Sequence, residues 1–156
     1  MTKKNQKFEM YSATERTYLA KLAEILKVNF TPSLIAGRCS YDGVFVKQAE
    51  CPQIAAVEAK VRDMDISAYE EYIIERQKYF NLIDLLETGR CHKVLYVNFF
   101  RSQNGTDKAA IWSLHKLPEP AWQKMSMNAQ TAVSRTKKKE KMVGMLRLSD
   151  AKIIDL

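Results

Sequence analysis

The sequence predicts an α/β domain, a mixed β-sheet flanked by helices, and three observations carry the prediction. Apolar positions recur at helical spacing in two long stretches, one near the N-terminus and one in mid-chain. Short runs rich in β-branched and aromatic residues lie between and after them, the strongest being KVLYVNFF at 93–100. The resulting order of helix, strands, helix, strand, strand, without an internal repeat, lays helices over a sheet. At 156 residues the chain can bury its own core, so residues 1–156 read as one domain.

SATERTYLAKLAEILKVNF is the first helix, with Ser12 or Thr14 as its cap and Tyr18, Leu19, Leu22, Ile25 and Leu26 as its apolar face. Pro32 closes that region. SLIAGR is a short strand and SYDG a turn, because Asp-Gly supplies special backbone angles. VFVKQA and IAAVEAKVR follow as strands on either side of Pro52. A long helix is expected from roughly Ser67 to Glu87, striped by Tyr69, Tyr72, Ile73, Phe80 and Ile83 and ended by Gly89. KVLYVNFF and AAIWSLHKL are strands separated by an Asn-Gly loop. LPEPAW begins an irregular piece, and MVGMLRL adds an edge strand.

Composition narrows the class. Hydrophobic residues make up 46% and charged residues 28% of the chain, as in soluble globular proteins. No apolar run approaches the roughly 20 residues that span a bilayer, and the basic start MTKKNQKF lacks the apolar segment of a signal peptide. No membrane partner is therefore expected. Cys39, Cys51 and Cys91 are odd in number and scattered, which suits reduced thiols in a cytoplasm. The net charge of +7 is uneven: SRTKKKEK at 134–141 carries +4 and MTKKNQKFE +2, leaving a nearly neutral body. A polyanion partner fits this distribution, and a solubilising, flexible tail at 134–141 is the alternative.

Within IAAVEAKVR, Glu58 and Lys60 interrupt an apolar run. Side chains alternate across a strand, so these two share one face while Val57, Ala59 and Val61 share the other and pack on a helix. Asp42, at the mouth of the preceding strand, converges on Glu58 if the two strands pair antiparallel. Two converging carboxylates repel, and a divalent cation relieves them. The Ala59 carbonyl is a further ligand, and Lys60 can orient or help deprotonate a water. That set meets the needs of phosphodiester hydrolysis. The competing reading is a solvated Glu58–Lys60 pair on an open sheet face.

YDGVFVK, then AAVEAKVR, a long helix and KVLYVNFF together resemble the PD-(D/E)xK nuclease superfamily, the restriction-endonuclease-like fold, and most of all its small phage- or bacterium-borne members of unassigned role. The likeness covers approximately Thr14 to Leu117. It implies an αβββαβ core, a deoxyribonuclease dependent on Mg²⁺ or Mn²⁺, and a place in the cytoplasm of a bacterium or phage-infected host. Asp42 becomes the first metal carboxylate, Glu58 the second and Lys60 the catalytic lysine. The chain departs by having Tyr41 before Asp42 where the motif's name has proline. The resemblance also brings Glu15, on the first helix, and Gln77 and Lys78, on the long helix, toward the site. Set against this, Glu15 can be a first-turn residue favoured by the helix dipole, and Glu75 can pair with Lys78 along the helix. Lys78, Arg135, Lys137, Lys138 and Lys139 are the expected contacts to DNA, whether single-stranded, duplex or branched.

Two other functions are weighed beside the nuclease: a non-catalytic module that kept the fold to bind nucleic acid or protein, and a Holliday-junction-type resolvase, which requires a homodimer. Cys91-His92 lacks the further ligands of a zinc site and reads as a turn before a strand. His115 reads as a rim or core histidine. GRCSYDG lacks the spacing of a phosphate loop.

Overall fold

Helix α1 (Lys3–Leu26) leads into a six-stranded sheet. The structure, a computed structural model, describes residues 3–33, 41–103, 105–130 and 134–156, with side chains described at 10, 13–33, 41–103, 105–127 and 138–156. The strands are β1 (Asn29–Pro32), β2 (Gly43–Lys47), β3 (Gln53–Arg62), β4 (Glu71–Glu75), β5 (Lys93–Phe100), β6 (Lys108–Ser113), β7 (Gln123–Gln130), β8 (Ser134–Arg147) and β9 (Lys152–Asp155), with α2 (Arg76–Glu87) between β4 and β5. The large sheet runs β1-β2-β3-β5-β6-β9, parallel only between β3 and β5, and a second, antiparallel sheet runs β4-β8-β7. Among the described residues no helix is long and apolar enough to cross a membrane.

Period-two patterning decides how the layers stack. Ala55, Val57 and Ala59 on β3 and Val97 and Phe99 on β5 meet Leu19, Leu22 and Ala23 of α1. The opposite face, with Ala56, Tyr96, Phe100, Ala110 and Trp112, is covered by α2 and the small sheet through Tyr72, Ile74, Tyr79, Leu82 and Leu146. Each large side chain buried this way contributes about 1.5–3 kcal/mol. Hydrogen bonds cross between the sheets as well. The Trp112 indole donates to the Arg147 carbonyl at 2.8 Å and the Tyr96 hydroxyl to the Ile73 carbonyl at 3.1 Å.

Several expectations are corrected. α1 begins well before Ser12, and the Thr14 hydroxyl donates back to the Met10 carbonyl at 3.0 Å, so Thr14 is a helix-interior residue and not a cap. The helix expected from Ser67 to Glu87 is a 3₁₀ turn at Ile66–Ala68, then β4, and only then α2. Tyr72 and Ile74 are buried at alternate positions in EYIIE, a period of two that wins over the helical stripe. MVGMLRL belongs to β8, the central strand of the small sheet and not an edge. The basic 134–141 segment, for which a flexible tail was the alternative reading, has its backbone paired with β7 in the same strand. SLIAGR lies, except for Ser33, outside the described residues. Gly89 sits at φ +73 just after α2, where the chain needs a left-handed residue, as its place in the sequence suggested.

Candidate active site

Asp42 stands where β2 leaves β3. Its backbone N–H donates to the Val57 carbonyl at 2.9 Å, and its Oδ2 accepts from the Ala59 N–H at 2.7 Å. The last β2 partner on β3 is Val57, opposite Gly43, so the Asp42 carboxylate continues the ladder past the end of the strand. A strand residue directs its N–H and C=O to the same side, which sets the Ala59 carbonyl on the edge that Asp42 occupies. Gly43, next to Asp42, permits the close approach of β1: a Cβ there would lie 2.5 Å from the Phe30 ring and 2.6 Å from the Thr31 carbonyl oxygen.

Glu58 is 2% exposed. The face it shares with Lys60 is therefore roofed by α2 and not open, as a solvated pair would need. Lys78, in the first turn of α2, places Nζ 2.6 Å from Glu58 Oε1, while Oε2 is buried with no partner among the described residues. Burial, and next the charge of Asp42, push the Glu58 carboxyl up to about 7, against the pull of Lys78 and Lys60. Glu15 on α1 is likewise pushed up to about 7 by burial and then by Asp42, with Glu58 adding to it and Lys60 and Lys78 opposing. Five groups from four elements therefore share one field: Glu15, Asp42, Glu58, Lys60 and Lys78. The first-turn reading of Glu15 fails, because α1 begins twelve residues earlier, at Lys3.

No family model, curated protein or solved structure matches the chain. The chemistry must be judged from the residues.

The other expected residues lie farther out. Gln77 is exposed, and its amide donates to Asn81 Oδ1 at 2.9 Å along α2, so it does not join the carboxylates. Glu75 pairs with Lys141 at 3.1 Å and not with Lys78. Lys138 and Lys139 are exposed on β8, and the side chains of Arg135 and Lys137 lie outside those described. His92 Nδ1 accepts from the Ile54 N–H at 3.0 Å, which ties the start of β5 to β3. Asn98 is the residue the sequence reading passed over. It is the register partner of Lys60, fully buried, and its amide oxygen and nitrogen have no partner among the described residues. The signal was a lone amide inside KVLYVNFF.

Among the described residues no three His, Cys, Asp or Glu side chains gather as a ready-made metal cage. What the site offers a cation is two hard carboxylates and one carbonyl edge, the donor set that Mg²⁺ accepts while keeping several waters.

Proposed function

We propose that this protein is a Mg²⁺- or Mn²⁺-dependent deoxyribonuclease that hydrolyses phosphodiester bonds. One observation carries the proposal: Glu58, buried beside Asp42 with Oε2 unpartnered among the described residues, on the same strand face as Lys60. Burying carboxylates against each other is costly unless something positive completes the set. With β4 set apart in the small sheet, the order α1, β1 to β3, α2, β5, with β3 and β5 parallel, supports the restriction-endonuclease-like core that the resemblance implies.

A divalent cation held by Asp42, Glu58 and the Ala59 carbonyl would polarise the phosphate and make a water acidic enough to attack it. The chain's own residues do the rest. The Ala59 N–H fixes the Asp42 carboxylate. Lys78 fixes Glu58 through Oε1, and Oε2 has no partner among the described residues. Lys60 orients the attacking water and offsets the negative charge that grows on the phosphate. The water oxygen bonds to phosphorus as its proton passes to solvent, the P–O ester bond opposite breaks, and the departing oxygen takes a proton from solvent.

The ion pair that already occupies Glu58 Oε1 favours a second reading, a non-catalytic module of the same fold that binds nucleic acid or protein. Calorimetric titration with Mg²⁺ separates the two, since a module without a cation site gives no heat. The direct test is cleavage of single-stranded, duplex and branched DNA with Mn²⁺ or Mg²⁺. Wild type is expected to cut at least one of them. Lys60→Ala and Glu58→Gln are expected to lose about a hundredfold or more. Equal silence of all three proteins on every substrate removes the nuclease.

A further inference from the structure

The small sheet does not end where β4 ends. β8 pairs with β4 only from Val143 to Arg147, and from Ser134 to Met142 its partner is β7. The β7–β8 pair therefore runs on as a two-stranded ribbon beyond Glu75, the residue at which β4 gives way to α2. Alternation divides the ribbon into two faces. Lys139, Lys141, Met125 and Met127 share one, and Lys124, Lys138, Glu140 and Ser126 the other.

The first face borders a groove of about 430 Å³, lined by Glu75, Arg76, Gln77, Lys139, Lys141 and Met142. Its one acid is already matched, because Lys141 Nζ lies 3.1 Å from both Glu75 oxygens. Arg76 lies over the Phe80 ring at 5.4 Å, and among the described residues neither it nor Lys139 has an acidic partner. Among the described residues the groove thus carries two cations without an acidic partner, Arg76 and Lys139. Its α2 wall carries Arg76 and Gln77, in the same helical turn as Lys78, which reaches Glu58 from another side of the helix.

We propose that this groove is the track along which the nucleic-acid backbone runs from the candidate active site, with Arg76 and Lys139 as its phosphate contacts. The inference rests on the nuclease reading for its location and extends it by assigning the binding surface. It narrows the expected basic contacts to the groove face of the ribbon, and it adds Arg76, which charge runs in the sequence do not reveal. Phosphate contacts position a nucleic acid without reading its bases, so binding here is independent of sequence and steeply dependent on salt.

The test measures binding of a labelled DNA duplex to the full chain by fluorescence anisotropy, across a salt series and without divalent cation so that nothing is cut. Replacing Arg76→Gln and Lys139→Gln together is expected to weaken binding at least tenfold at low salt. It should also reduce the slope of log K against log salt by about 2, at about 0.9 per lost phosphate contact. Lys124→Gln with Lys138→Gln, on the opposite face, removes the same charge and is expected to cost less than twofold. All four side chains are exposed, so both variants should keep the wild-type melting curve. The track is overturned if the groove pair binds like wild type or if the two pairs lose affinity equally. Parallel cleavage assays separate the failures. A wild type that never cuts but loses DNA with the groove pair sinks the nuclease and keeps the track. A wild type that cuts, with a groove pair that binds normally, does the reverse.

Discussion

Lys78 Nζ lies 2.6 Å from Glu58 Oε1, so the first turn of α2 is fastened to the middle of β3 by an ion pair with one fully buried partner. Removing one member of such a pair costs far more than the pair itself contributes, because the remaining charge is stranded. Lys78→Met is therefore expected to destabilise the fold by about 2 kcal/mol near pH 8, and by less near pH 5, where Glu58 takes up a proton. Glu58→Gln added to Lys78→Met should recover most of the loss. Denaturant unfolding at both pH values measures it, and a loss independent of pH contradicts the pairing.

Stability should also depend on pH in wild type. Glu15 and Glu58 each rise from 4.5 to about 7 on folding, so the native state holds more protons than the unfolded chain between those values. Stability is therefore greatest at the acid end of that window and falls as pH rises through it. A cation that binds the ionised carboxylates should reverse part of the fall, so Mn²⁺ is expected to raise the melting temperature more near pH 8 than near pH 5. Thermal melts of wild type and the Glu15→Gln, Glu58→Gln double variant check both statements. A double variant with the wild-type pH slope removes these two carboxyls as its cause.

How much of this was legible in the sequence varies by element. β3 and β5 read directly because continuous apolar letters leave few alternatives for a buried strand, and Glu58 and Lys60 stood out against them. The Asp42–Glu58 convergence followed from a short connection between two strands. β4 was lost because EYIIE runs straight into helix-forming RQKYF, and Tyr69, Tyr72 and Ile73 also satisfy a helical stripe. β8 was hidden by its lysines: a ribbon with both faces wet needs no alternation of apolar letters, so its basic half reads as a tail. The Lys78–Glu58 contact depends on where α2 begins, and that followed from tertiary packing of Tyr72 and Ile74.

Asn98 tests whether the site holds polarity at the expense of stability. Its amide has no partner at either end among the described residues, and a buried amide left so costs about 1–3 kcal/mol. Asn98→Leu, of similar size, is expected to raise stability by about 1 kcal/mol while lowering cleavage, since Asn98 is the register partner of Lys60. Urea unfolding and initial cleavage rates report the two effects. A variant that gains stability and keeps full activity shows that Asn98 has no part in the chemistry.

Gly43 is predicted to be intolerant of even one carbon. A Cβ would collide with Phe30 and with the Thr31 carbonyl oxygen, where β1 pairs with β2 beside Asp42. Gly43→Ala is expected to cost about 1–3 kcal/mol and to disturb the neighbouring Asp42. Loss of Mn²⁺ affinity beyond the loss of stability, measured by calorimetry on the folded variant, is the distinguishing result. Unchanged stability and affinity contradict the close approach.

The most direct measurement is anomalous diffraction from a crystal soaked in Mn²⁺. The carboxylate pair and its strand edge predict a peak bounded by Asp42, Glu58 and the Ala59 carbonyl in wild type, abolished by Glu58→Gln. A saturated wild-type crystal with no peak at that position contradicts a metal-dependent centre on this face.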